Sequence, residues 1–170
     1  MRIVPFNEIT EEMYVDYISE WEKTDEKIIP SSSARKGDSF AKLLENWEND
    51  RTEKAYAMDL VPSTLYFMID ETKRIIGSIH FRHELNSHLF KGGGHIGYGV
   101  RPSERRKGMA SLMLGMFLDM LRKEGKYKRV LITCDESNKA SVGTIEKNGG
   151  KMENVVRING VPRRRYWIEL

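Results

Sequence analysis

Residues 95–134 constrain the fold of this chain more than any other stretch. They read as a strand, His95–Arg101, a basic turn, a helix, Met109–Lys123, and a second strand, Arg129–Cys134. Met113, Met116, Phe117, Met120 and Leu121 alone would fill one face of the helix, which argues for packing across a sheet. The second strand is of the apolar kind that is buried on both faces. A strand, a covering helix and a buried strand make a layered α/β arrangement, with the turn at the end of its strand.

That turn, Gly99-Val-Arg-Pro-Ser-Glu-Arg-Arg-Lys-Gly-Met-Ala-Ser111, has the chemistry of a diphosphate cradle. The first turn of a helix has N–H groups with no partner inside the helix, and its dipole adds roughly half a positive charge. Gly108 lets the backbone approach a ligand, Ala110 keeps the next position open, and Arg105, Arg106 and Lys107 supply positive charge at the rim. Two other phosphate motifs fail on spacing. Lys107-Gly108 reverses the order of a Walker loop and lacks its hydroxyl. Gly92-Gly93-Gly94 and Gly97-x-Gly99 precede or lie within the strand, so they read as turn and bulge glycines.

The rest of the chain alternates in the same way. Ile3–Phe6 reads as a short strand, Thr10–Trp21 as a helix, and Phe40, Leu43, Leu44 and Trp47 mark a second helix ending near Asn49. Thr64–Asp70 and Arg74–Arg82 form an antiparallel pair around Asp70–Lys73. After the buried strand come the helix Asn138–Asn148 and two strands, about Met152–Ile158 and Arg164–Glu169, around Asn159-Gly160. The expected fold is α/β, a mixed, mostly antiparallel sheet flanked by helices.

Arg105-x-x-Gly108-x-Ala110, directly after a strand ending Val100-Arg101-Pro102, resembles the Arg/Gln-x-x-Gly-x-Gly/Ala signature of the GCN5-related N-acetyltransferases (GNAT). Asn138 followed by Ser141 matches the Asn-x-x-Ala/Ser pattern with which many of that family hold the pantetheine arm of acetyl-coenzyme A. The resemblance runs from about Ser63 to the C-terminus and more weakly before it. It implies one domain over residues 1–170, with a helical substrate-side region, 1–62, and an acetyl-coenzyme A core with a terminal hairpin, 63–170. It also implies splayed central strands between which the donor lies almost as an extra strand. Gly99, Val100 and Arg105–Ala110, Met109 included, would grip its pyrophosphate. Its acyl carbonyl would face backbone N–H groups near a bulge at Gly97–Val100. An amine, small or peptidic, would then attack directly.

The catalytic groups leave alternatives open. Many relatives carry a Tyr four residues beyond the Ala/Ser, where it protonates the departing thiolate; here that position is Ile145. An ammonium with a pKa of about 10.4 costs roughly 4–5 kcal/mol to deprotonate at neutral pH, so a base is useful. Relatives place a Glu where His95 stands, and His95 is either that base or a structural histidine at a strand start. Glu84 is the second candidate, or an exposed turn acid. Tyr98 either lines the cleft or packs in the core.

Composition excludes little more. A net charge of +3, with acids interleaved among the bases, does not argue for nucleic acid. One cysteine, Cys134, excludes an internal disulfide and suits a reducing compartment. No leader or membrane-spanning run is visible, so the expected location is the cytoplasm. His83 and His88 are five apart, one too many for a helical zinc motif, and no metal is expected. Arg163–Arg165 reads as a solvated hairpin edge or as a contact for the donor's outer phosphate or an acidic substrate. Exposed strands in that hairpin make a homodimer plausible. A non-catalytic acyl-coenzyme A-binding module is the alternative function, and an RNA-binding module would need the basic clusters on one face.

Overall fold

Two antiparallel sheets carry the structure, a computed structural model that describes residues 1–170. The first has the order β1 (Arg2–Pro5), β2 (Ser63–Ile69), β3 (Ile75–Arg82), β4 (Ile96–Val100). The second joins β5 (Arg129–Asp135), β6 (Lys151–Ile158) and β7 (Val161–Glu169) in the order β5-β7-β6. The last strand therefore inserts in the middle, so Arg163–Arg165 is not a hairpin edge. Arg164 pairs with Glu136, and Arg165 is buried beside Glu153 and Asn154. The free edge is β6, exposed along most of its length.

The hydrogen bonds between β4 and β5 are confined to their starts. His95 N–H donates to the Leu131 carbonyl at 2.7 Å, and Leu131 N–H donates to His95 Nδ1 at 2.9 Å. Past this seam the strands part, and Tyr98–Val100 and Thr133–Asp135 line opposite walls of one cleft.

Helices cover both faces of the first sheet, which is why β2 and β3 are almost continuously buried. On one face lie α1 (Glu11–Glu22) and α2 (Phe40–Asp50), their N-termini capped by Thr10 and Ser39. They pack Tyr14, Tyr17, Ile18, Trp21, Leu43 and Trp47 against Leu65, Phe67 and Ile75. On the other face α3 (Met109–Glu124) packs Met113, Leu114, Phe117, Leu118 and Leu121 against both sheets, and Gly125, at φ +70°, ends it. The shorter α4 (Lys139–Lys147) follows β5 and is capped by Asn138. β1 pairs with β2, so the N-terminal region shares the first sheet with the rest of the chain.

Candidate active site

The cleft encloses about 730 Å³ and opens at the turn before α3. There Arg106 (φ +60°) and Gly108 (φ +77°) both take left-handed backbone conformations. Gly108 stands at the cap position without a capping side chain, so the first N–H groups of α3 have no local partner. A Cβ at Gly108 would meet nothing within 4 Å, so glycine suits this position for its dihedral angles and its open approach.

The three turn cations differ in state. Lys107 pairs with Glu104 at 3.2 Å and lies outside the cleft lining. Arg105 donates from Nε to the Val100 carbonyl at 3.2 Å, pairs with Glu26 at 2.8 Å and stacks on Trp21 at 4.7 Å. Arg106 lines the cleft with no ion-pair partner.

The edge of β4 supplies the next feature. Arg82 N–H donates to the His95 carbonyl and Arg101 N–H to the Ile76 carbonyl, which places the odd-numbered residues of β4 in the hydrogen-bonded pairs with β3. In an antiparallel ladder bonding alternates, so Ile96, Tyr98 and Val100 turn their backbone groups to the cleft. The ladder runs in register from Ile96 to Val100, so the expected bulge at Gly97–Val100 is absent; it is the regular alternation that frees these N–H groups. A Cβ at Gly99 would collide with the Ile29 carbonyl oxygen, so Gly99 is the seat on which the α1–α2 connector rests.

On the other wall, Asn138 Oδ1 accepts the Ser141 N–H at 3.0 Å as the cap of α4. Ser141 Oγ lies 2.9 Å from the Tyr98 hydroxyl, which reaches across from β4. Burial pushes that phenol up to about 12. Cys134 and Thr144 line the same corner, and burial raises the Cys134 thiol as well. Ile145 is fully buried in the core beneath.

Of the three expected catalytic residues, only Tyr98 reaches the cleft. His95 belongs to the seam: its Nδ1 is occupied by Leu131 N–H and its ring packs near Phe81, Tyr127 and Trp167. Burial, helped by the charge of Arg82, pushes it down to about 4, so the ring stays neutral across the working range. Glu84 is exposed beyond β3, where it accepts from the Tyr56 hydroxyl at 2.9 Å, and it does not line the cleft. Both positions have one cause: the cleft opens toward the C-terminal ends of β4 and β5, whereas His95 and Glu84 lie at the closed end.

Three groups escaped the sequence. The end of α1 contributes Trp21 to the cleft, and the connector after it contributes Glu26, Lys27 and Ile29. Arg101, nearly fully buried, binds Glu20 at 2.6 Å, Asp16 at 2.7 Å and the Ile75 carbonyl at 3.0 Å, while Glu20 also accepts from Ser103 in the turn. Asp135 faces Arg163, which donates twice to Oδ1, at 2.8 and 3.0 Å, and leaves Oδ2 without a protein partner. Trp21 had only its place on an apolar helix face as a signal, and Asp135 only its place at a strand end. No group of three or more His, Cys, Asp or Glu side chains could hold a metal ion, and no helix is long and apolar enough to cross a membrane.

Residues 2–151 match the model of the acetyltransferase (GNAT) domain family. No curated protein matches the chain by sequence. Among solved structures, a chimera of Vibrio cholerae spermidine N-acetyltransferase SpeG and hSSAT superposes with a TM-score of 0.67 at 15% identity, covering 99% of this chain and 96% of the other. Ribosomal-protein-S5-alanine acetyltransferase from Vibrio fischeri gives 0.66 at 16%, covering 98% and 91%. The microcin C7 self-immunity acetyltransferase MccE, solved with acetyl-CoA and AMP, gives 0.62 at 21%, covering 94% and 86%.

Proposed function

The chain belongs to the GNAT acetyltransferase family, whose general chemistry is acetyl transfer, and we propose that it moves an acetyl group from acetyl-coenzyme A to a primary amine by direct attack in a ternary complex. The observation that carries this reading is the left-handed turn at Arg106 and Gly108, set against the free N-terminus of α3 at the mouth of a cleft between parted strands. The pyrophosphate sits on those N–H groups with Arg106 beside it. The pantetheine arm runs along the open edge of β4 toward Ser141 and the capped start of α4. A backbone N–H of Tyr98 or Val100 meets the thioester oxygen as negative charge develops on it.

Residues 1–62 shape the acceptor side in this reading, and 63–170 hold the donor. The acids lining the cleft are Glu26, Glu104 and Asp135, and the first two are held by Arg105 and by Arg74 and Lys107. Asp135 Oδ2 alone is free, which makes it the carboxylate that draws the proton from the incoming ammonium, directly or through a water.

Release of free coenzyme A over a panel of small amines and peptide N-termini tests the activity. A thermal-shift titration tests the donor site: ligand at about 100 times its Kd adds roughly 2.7 kcal/mol. Gly108→Glu should abolish that shift, because it puts a carboxylate where the pyrophosphate rests; full binding by this variant refutes the turn's role. A second reading, a binding module without turnover, draws on Ile145 and on the withdrawal of His95 from the cleft. Tight acetyl-coenzyme A binding with no turnover over the whole panel would establish it.

A further inference from the structure

We propose that Tyr98 is the proton donor to the departing thiolate, supplying from β4 the phenol that α4 lacks here. The inference rests on the acetyl-transfer reading above. Position 145 holds a buried isoleucine, so this helix brings no phenol to the leaving sulfur. Ser141 lies one helical turn before Ile145, on the same side of α4. The Tyr98 hydroxyl meets Ser141 Oγ at 2.9 Å, so a phenol arrives at that place from the opposite wall of the cleft.

The arrangement fits a donor and not merely a packed ring. Tyr98 lines the cleft, and its hydroxyl and that of Ser141 form a short chain of two exchangeable protons. Burial keeps the phenol protonated throughout the working range but also makes it a weaker acid than a thiol of about 8.5, so transfer to sulfur depends on Ser141 and solvent refilling the phenol oxygen as the proton leaves. The same strand places the Tyr98 N–H at the cleft edge, so one residue brackets the scissile C–S bond: main chain toward the oxygen, side chain toward the sulfur.

The ammonium first loses one proton through Asp135 to solvent; the amine nitrogen then bonds to the carbonyl carbon and gives its second proton to Asp135 or to water. The C–S bond breaks and its electron pair passes to sulfur, which takes the phenol proton. The phenol oxygen recovers a proton from Ser141, and solvent replenishes Ser141. The products are the acetamide and the free thiol.

The test compares acetyl-coenzyme A with its selenoester analogue, whose selenol is a much stronger acid and leaves without a proton. Tyr98→Phe should lower single-turnover rate with the thioester about 100-fold, with acetyl-coenzyme A binding by thermal shift unchanged. With the selenoester the loss should shrink to less than about 5-fold. Ser141→Ala should give a smaller loss, and the double variant should be no worse than Tyr98→Phe alone, as for groups acting in series. An equal loss with both donors makes Tyr98 a packing residue and overturns the proposal, as does an unimpaired Tyr98→Phe. Should Tyr98→Phe fold poorly, the ratio of the two donors' rates for Ser141→Ala decides in the same way. Wild-type protein inactive with both donors over every amine would instead refute the acetyl-transfer reading itself.

Discussion

Arg101→Met removes the guanidinium that ties α1 to the start of the turn before α3 while keeping an apolar stem of similar length. In the wild type that group is 3% exposed and bound to Asp16, Glu20 and the Ile75 carbonyl. Breaking a buried ion pair from one side costs about 3–5 kcal/mol when the abandoned partner stays buried. Here the partners differ: the Asp16 side chain is 56% exposed and regains water, and the 22% exposed Glu20 keeps its bonds from Ser103. The expected loss is therefore nearer about 2–3 kcal/mol, or about 5–10 °C in Tm for a chain of this length. The pH dependence gives a second reading. The hydrogen bond from Arg101 holds Asp16 below the usual carboxylate range; Glu20 is also low, against its own burial, because Ser103 and Arg101 donate to it. Depressed native values contribute stability that is present above the unfolded pKa of about 4 and lost as pH falls through the native ones. Urea melts of both proteins should thus show a gap at pH 7 that narrows between about pH 5 and 3. A variant that melts within a degree of wild type at pH 7, or a gap unchanged in acid, refutes this account of the network.

Gly99→Ala should cost about 1–3 kcal/mol by overpacking, since the new methyl meets a main-chain oxygen, Ile29's, that no side-chain rotation can move; limited proteolysis should then cut within residues 23–38 sooner than in wild type. His95 should leave no inflection in the rate profile near pH 6.5, because its native pKa is about 4. Its burial should appear in stability instead: the unfolded chain binds a proton that the native one refuses, so stability drops by roughly 3 kcal/mol as pH falls from about 6.5 to 4. Buried His80, pushed down to about 3, adds a drop of its own over the same range, so His95→Gln, which keeps an acceptor for Leu131 N–H, should reduce the slope there in urea titrations without abolishing it.

The elements were legible because their causes are local. The apolar period of Met109–Lys123, the helix-opening residues Thr10 and Asn138, and the turn glycines at 94 and 108 each act on their own neighbours, and each appears in the structure where the chain marks it. The turn before α3 was legible for the same reason. The far end of the cleft was not, because it is assembled from distant segments. His95 and Glu84 have the right chemistry, but only the direction in which β4 and β5 diverge decides which end of a strand meets the substrate. Asp135 becomes notable once β7 inserts beside β5 and commits Arg163 to one of its oxygens. Arg101 reads as the last residue of a strand; its partners lie 81 and 85 positions away.

Through the Ile29 carbonyl on Gly99 and Glu26 on Arg105, the connector between α1 and α2 is fastened to the donor wall at two points. Evolution of a new acceptor range in such a protein cannot proceed loop by loop. On the proposed acetyl-transfer reading, a substitution among residues 23–30 that reshapes the amine side would also loosen or tighten the grip on the acyl donor. Variants selected for a different amine should therefore carry a shifted acetyl-coenzyme A affinity as a passenger, and restoring it would call for second-site changes on β4 or the diphosphate turn.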